Sequence, residues 1–239
     1  LSEGVIAGIA RQILLGLHQL HSQNQIHRDI KADNVLIDDK GFVKISDFGI
    51  VKQLDEGATS CSTFVGTMTH LSPERLRCES FSFPSDIWSF GITMHVLATG
   101  RSPFESDEFF HLLKEVADIS KPLSLNRARF SPNFVDFLEL CLAKDPSLRP
   151  SAAILLQHPF ILHTAPCPWP FAAPIEGDPE ELDKLAQYLA KVNKGSASHP
   201  HSIADRAGMD NWILSMAAQM GIHRAEVASA FERNFSFSR

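Results

Sequence analysis

Apolar residues recur at Val5, Ile6, Ile9, Ile13, Leu14, Leu17 and Leu20. That three-and-four spacing predicts one face of a helix over residues 3–22, with Ser2 as its cap. The pattern then changes. Val35-Leu36-Ile37 and Phe42-Val43-Lys44-Ile45 are short β-rich runs separated by Asp38-Asp39-Lys40-Gly41, and an Asp/Gly turn between such runs predicts a hairpin. Over residues 86–100 the apolar side chains of Ile87, Trp88, Phe90, Ile92, Met94, Val96 and Leu97 leave no polar face, so this helix is expected to be buried all round. Residues 109–116, 132–142 and 152–158 each carry an amphipathic helical period. Beyond Thr164 the composition shifts. Ala165-Pro166-Cys167-Pro168-Trp169-Pro170-Phe171 and Pro174 mark a linker, since so many prolines interrupt regular structure. Helical periods resume at Leu182, Leu185, Leu189 and Val192, break over 195–201, and return over 209–220 and 225–235. The expectation is a mainly α protein with small β hairpins. A domain over 1–163 is followed by a Pro-rich linker over 164–180 and a helical C-terminal extension over 181–239.

Composition narrows the class only a little. The chain has 239 residues, 44% of them hydrophobic, enough for one sizeable core. A net charge of −6 supplies no basic footprint, so nucleic acid and anionic membrane surfaces are not expected partners. The four cysteines, Cys61, Cys78, Cys141 and Cys167, show neither metal-ligand spacing nor disulfide-scaffold density, and read as free thiols in a reducing compartment. No apolar stretch reaches membrane-spanning length and no basic segment with an apolar signal core opens the chain. A soluble, cytoplasmic protein without membrane insertion is expected.

Candidate chemistry is concentrated in one short loop and the residues after the hairpin. Asp29, Lys31 and Asn34 lie between two apolar runs, and Asp47 follows the second strand. Phosphoryl transfer from a nucleotide needs such a set: a carboxylate to orient a hydroxyl and accept its proton, a carboxylate and a carboxamide to hold magnesium, and a cation for the moving group. His27-Arg28-Asp29 with Asn34 five residues after the Asp, then Asp47-Phe48-Gly49, Ser72-Pro73-Glu74 and Asp86-Ile87-Trp88-Ser89-Phe90-Gly91, occur in that order. Together they resemble the large C-terminal lobe of eukaryotic protein kinases. The resemblance implies ATP and Mg2+ as cofactors. Asp29 would be the base, Lys31 the cation on the γ-phosphate, Asn34 and Asp47 the magnesium ligands, and Leu36 the side chain under the adenine. It gives His27 and Phe48 structural roles. It also pairs Arg149, in Leu148-Arg149-Pro150-Ser151, with Glu74, and bonds Asp86 to the backbone near His27 and Arg28. A plain helix N-cap also fits Asp86. The family's N-terminal lobe, with its glycine-rich loop, strand lysine and helix glutamate, should precede residue 1. None of the three is found in this chain, which reads as the large lobe alone, a fragment of a longer gene product or a truncated protein.

The segment from Asp47 to Glu74 is polar before Phe64 and holds Thr59, Ser60, Ser62, Thr63 and Thr67. A phosphate there would pair with Arg28 and couple segment order to the catalytic loop. Phe64-Val65-Gly66-Thr67 and Ser72-Pro73-Glu74-Arg75 resemble the substrate loop of the dual-specificity MAP kinase kinases. That likeness implies a MAP kinase as protein substrate and an upstream MAP kinase kinase kinase as activator. It makes Thr59 and Thr63 the phosphorylated sites, and Gly66 and Thr67 parts of the substrate loop, with Thr67 bonding Asp29 and Lys31. There are departures. His70 stands where a Tyr is usual, and Lys31-Ala32-Asp33-Asn34 is closer to the germinal-centre and p21-activated kinases. A Ser/Thr kinase of that kind is one alternative, and a non-catalytic docking protein is another. In the extension, Met220-Gly221-Ile222 with Ala225-Glu226-Val227 resembles ubiquitin-associated modules, position alone suggests docking of an upstream kinase, and the plain reading is a helical tail of unknown role.

Overall fold

The first helix, α1 (Glu3–Ser22), begins where Ser2 accepts a hydrogen bond from the Val5 amide at 3.4 Å, satisfying one of the donors a helix start leaves free. The structure, a computed structural model, describes residues 1–38, 41–48, 52–53, 68–77, 79–104, 109–118, 123, 125–164, 184–185 and 187, all within the unit Leu1–Pro200. The expectations for Gly49, Thr59, Thr63, Gly66, Thr67, the linker over 165–180 and the helices over 209–220 and 225–235 lie outside the described residues.

Val5, Ile6, Ile9, Ile13, Leu14 and Leu17 are all buried, so the face predicted from spacing is the one that packs. Glu3, in the first turn, reaches across to the start of another helix. The Ser131 amide donates to its carboxylate at 2.7 Å and the Ser131 hydroxyl at 2.5 Å. Ser131 in turn caps that helix by accepting from the Phe134 amide at 3.2 Å. One acid thereby ties two helix starts together.

The chain then forms β1 (Gln25–Ile26), a one-turn helix at Ala32–Asn34, and β2 (Val35–Ile37), which pairs antiparallel with β3 (Val43–Ile45) in the register Val35↔Ile45, Leu36↔Lys44, Ile37↔Val43. Asp38 closes the turn: its carboxylate accepts from the Phe42 amide at 2.8 Å, and Gly41 sits at φ 81°, where a side chain would be strained. β4 (Lys52–Gln53) runs back antiparallel to β1, Ile26 opposite Lys52. That pairing has no counterpart in the hydrophobic pattern, because two residues cannot display an alternation.

The helices that follow are α2 (Pro73–Leu76), α3 (Pro84–Thr99), α4 (Phe109–Ala117), α5 (Pro132–Cys141), α6 (Ala152–Leu155) and α7 (Pro159–Thr164). α3 is the buried post that its composition predicts, with Trp88, Phe90, Ile92 and Met94 wholly inside. It approaches α5 so closely that a Cβ on Gly91 would meet Cys141 Cβ at 2.9 Å and Leu142 Cδ2 at 2.8 Å. The helix expected over 152–158 ends early, at Leu155, and a separate helix, α7, begins at Pro159. Pro159 lacks an amide and its ring collides with the carbonyl four residues back, which is that of Leu155, the last residue of α6. The same proline suits the first turn of α7. Phe160 on α7 stacks on Phe134 at 4.5 Å and lies 5.1 Å from Phe137. Buried side chains of α1, α3, α5, α6 and α7 belong to one core. The result is mainly α with two small antiparallel pairs, the architecture of a kinase-like large lobe. Among the described residues no helix is long and apolar enough to cross a membrane.

Candidate active site

The loop between β1 and β2 is held from below by α3. Asp86 is completely buried; its carboxylate accepts from the His27 amide at 2.8 Å and the Arg28 amide at 2.9 Å, and lies 3.0 Å from His21 Nε2. Helix α3 starts at Pro84 with Phe83 in the cap position. Asp86 is therefore not the N-cap, and its oxygens serve the loop rather than its own helix. Burial pushes the Asp86 carboxyl up, but the His21 bond, the two imidazoles and the Arg28 amide together hold it below the ordinary value of 3.8.

Those bonds meet a strained backbone. Arg28 has φ 73° and Asp47 φ 61°, the left-handed region, which costs a side-chain-bearing residue about 1–2 kcal/mol. Such strain persists only where the surroundings over-determine it.

His27 occupies the space between the acids. Its Nε2 is 3.1 Å from the Ser46 carbonyl and its Nδ1 is 3.4 Å from the Asp29 amide. A carbonyl requires N–H on Nε2 and an amide requires a lone pair on Nδ1, so the neutral Nε2–H tautomer satisfies both. The electrostatics agree: burial lowers the His27 imidazole below 6.5, outweighing the raising influence of Asp86, the Ser46 carbonyl, Asp29 and Asp47. Phe48 meets the same ring edge-on at 5.3 Å.

The chemistry-bearing side chains converge at the loop's outer side. Lys31 Nζ lies 3.1 Å from Asp29 Oδ2. Asn34 Nδ2 donates to the same oxygen at 3.1 Å and to the Asp29 carbonyl at 2.8 Å. With its amide nitrogen so engaged, Asn34 has Oδ1 to offer a cation. The Asn34 carbonyl accepts from the Ser46 amide at 2.8 Å and the Ser46 hydroxyl at 3.2 Å, which brings Asp47, the next residue, beside the loop. The hairpin itself is fastened to α1 by Gln12, whose Oε1 accepts from the Val43 amide at 2.9 Å and whose Nε2 donates to the Gly41 carbonyl at 3.4 Å. Leu36 on β2 is 46% exposed and Phe48 is 53% exposed, leaving apolar surface beside the acids.

Beneath α2 lies a second buried pair. Arg149 Nη1 and Nη2 donate to the two Glu74 oxygens at 2.8 Å each. The guanidinium also donates to the carbonyls of Ala143, Pro84 and Lys144 and lies over Trp88 at 5.1 Å. Burial raises the Glu74 carboxyl, but the hydrogen bond and charge of Arg149 outweigh it and hold the group below the ordinary 4.5.

Asp29, Lys31 and Asn34 are thus in direct contact. Asp47 follows Ser46, which is bonded to Asn34, and Asp86 holds the backbone of His27 and Arg28. Thr59, Thr63, Gly66 and Thr67 lie outside the described residues. The sequence alone does not mark Gln12, His21 or Ser46 as parts of this assembly. Their only signal is position, polar residues on the buried side of α1 or at the end of β3. Among the described residues no cluster of three or more His, Cys, Asp or Glu side chains forms a metal cage. One carboxylate and one carboxamide instead fit a hard cation held largely by phosphates and water, the mode usual for magnesium.

Comparison with known proteins agrees with this architecture. The family described as "Protein kinase domain" matches residues 1–161. Mitogen-activated protein kinase kinase 3 of Arabidopsis thaliana is 44% identical over 161 residues, 66% of this chain and 31% of that protein. Dual specificity mitogen-activated protein kinase kinase mek-1 of Caenorhabditis elegans is 41% identical over 165 residues, 67% of this chain and 47% of the other. Serine/threonine-protein kinase sid1 of Schizosaccharomyces pombe is 44% identical over 162 residues, 67% of this chain and 34% of the other. The chain spans about a third to a half of the length of these relatives. With the ordered motifs, the large-lobe fold and a family match over most of the chain in agreement, the chain belongs to the protein kinase family.

Proposed function

We propose that this chain is the large lobe of a dual-specificity MAP kinase kinase, which transfers the γ-phosphoryl group of ATP to Ser/Thr and Tyr side chains of a MAP kinase in the cytoplasm. The observation that carries the reading is the convergence on Asp29: Lys31 and Asn34 both grip its Oδ2, while the Ser46–Asn34 bond brings Asp47 alongside. Held by Lys31 and Asn34, the Asp29 carboxylate is fixed in direction to orient a substrate hydroxyl and take its proton. Lys31 sits where negative charge on the transferred group needs a cation. Asn34 Oδ1 and Asp47 would hold Mg2+, which when bound would neutralise the phosphates. Leu36 offers an apolar surface for the adenine.

Regulation follows from Arg28. Its Nε is buried with no hydrogen-bond partner among the described residues, and a buried charged donor of this kind suits a phosphate oxygen. Phosphorylation of Thr59 and Thr63 by an upstream MAP kinase kinase kinase would supply it. The likeness to MAP kinase kinases of 41–44% identity supports the subfamily.

A Ser/Thr kinase of the germinal-centre type is the second reading, favoured by Lys31-Ala32-Asp33-Asn34 and by the equal identity to the sid1 kinase. The deciding experiment incubates the gene product carrying this chain with magnesium ATP and a kinase-dead MAP kinase, then maps the phosphorylated residues. Phosphate on both Thr and Tyr is expected, and Thr59→Ala with Thr63→Ala should abolish activation by the upstream kinase. Phosphate on Ser or Thr alone would favour the second reading. Binding of the MAP kinase with no transfer would favour a docking role.

A further inference from the structure

Arg75, the residue after Glu74, is buried and reaches away from its own helix into the catalytic loop. Its Nη1 donates to the carbonyl of Arg28 at 2.8 Å, and its guanidinium lies 5.1 Å from the centre of the Phe81 ring. The Arg28 carbonyl belongs to the peptide unit that enters Asp29. On the other side of Arg28, the amide is held by Asp86 at 2.9 Å. The left-handed Arg28, at φ 73°, is therefore clamped from two directions: α3 takes its N–H and α2 takes its C=O. With both ends fixed, the residue cannot relax to an ordinary φ without breaking a charge-assisted bond. The Asp29 side chain leaves the backbone from the second of those clamped peptides, so its direction depends on both.

We infer that Arg75 is a positioning residue for phosphoryl transfer: it locks the Arg28–Asp29 peptide and so aims the Asp29 carboxylate, coupling the seat of α2 to the base. The inference rests on the proposed role of Asp29. The coupling has a physical route. α2 is tied down by the Glu74–Arg149 fork, so a displacement of α2 is carried by the next side chain, Arg75, to the loop.

The first test uses amide hydrogen exchange in the 239-residue chain. Arg75→Met should speed exchange at the Arg28 and Asp29 amides by about tenfold or more, with protection in α3 unchanged. Wild-type exchange at both amides would overturn the inference. The second test measures phosphotransfer by the gene product carrying this chain. Arg75→Met should lower kcat about tenfold with KM for ATP within about twofold. Combined with Asp29→Asn, it should slow the enzyme no further, because a residue that acts through another adds nothing once that other is gone. A multiplicative loss in the double variant would overturn the inference. If Arg75→Met does not fold, Arg75→Gln, which keeps a donor of shorter reach, carries both readouts. Full-rate transfer by Asp29→Asn would overturn the base assignment and with it the catalytic meaning of Arg75. Dependence on Asp29 with unaltered exchange would overturn Arg75 alone.

Discussion

Glu74 and Asp86 are both buried acids held below their ordinary pKa, yet the two regions around them solve the same problem differently. Glu74 faces a full opposite charge, the Arg149 fork, which then spends its remaining donors on three carbonyls. Asp86 faces two backbone amides and an imidazole. A side-chain cation neutralises a charge and closes a packing gap; backbone donors fix the path of the chain. The first region therefore holds the lobe together, and the second shapes the catalytic loop. Substitutions should separate these two jobs.

The largest effect is expected at the first. Arg149→Met leaves the Glu74 carboxylate buried and unpaired, which costs roughly 3–5 kcal/mol, and urea unfolding followed by circular dichroism would measure it. Replacing both partners with methionine should recover only part of this, because the Ala143, Pro84 and Lys144 carbonyls still lose their donor. Full recovery would mean that the fork contributes charge pairing alone. Asp29→Asn should behave in the opposite way, with transfer at least ~10²-fold slower, about 2.7 kcal/mol on the barrier, and an unfolding midpoint close to that of the wild type. An Asp29→Asn protein that unfolds early but turns over normally would reverse the comparison.

Asp86→Asn falls between these two. The amide presents one acceptor and one donor to a pocket that offers two backbone N–H groups, so one contact is lost or repulsive. About 2 kcal/mol of stability should go, and the phosphotransfer rate should fall as well, since the released amide is that of His27 or Arg28. Loss of stability with an unchanged rate would place Asp86 with Glu74, as a fold residue only.

The sequence makes the candidate catalytic set legible because its chemistry is carried by residue identity: acids, an amide and an amine at short spacing. Helix limits were legible where a cap or a proline marked them, as at Ser2, Ser131 and Ser151. The early end of the helix expected over 152–158 is also available in principle, since Pro159 conflicts with the Leu155 carbonyl. What the sequence hides is long-range partnership that no motif marks. His21 meets Asp86 across 65 positions and Gln12 meets Val43 across 31. Their polar side chains on α1 look like solvent-facing residues until the fold buries that side. Asp86 shows the contrast: the family resemblance already bonds it to the backbone near His27 and Arg28, as observed, while its third partner, His21, carries no such mark.

The smallest effect tests a difference in the pH response of the two regions. Both acids keep their stabilising contribution above the ordinary carboxylate values of 4.5 and 3.8, and lose it only as pH falls through their lower folded values. His70 responds earlier. Burial brings its imidazole from 6.5 down to about 4, against the raising influence of Asp29 and Asp33 and with the lowering influence of Lys31. Its carbonyl accepts from Ser89 on α3 at 2.8 Å, and its Nδ1 lies 3.2 Å from Thr69 Oγ1. Between pH 6.5 and 4 the unfolded chain takes up a proton that the folded chain refuses, so stability declines as pH falls through that window. From pH 7 to 5 this group accounts for a loss of about 2 kcal/mol. His70→Tyr removes the titration, and its urea midpoint should fall less between pH 7 and 5 than that of the wild type. His27, also lowered by burial, retains a slope of the same sign in both proteins. Equal losses in the two would show that the acid sensitivity of the lobe lies at His27 and the loop rather than at His70 beside α3.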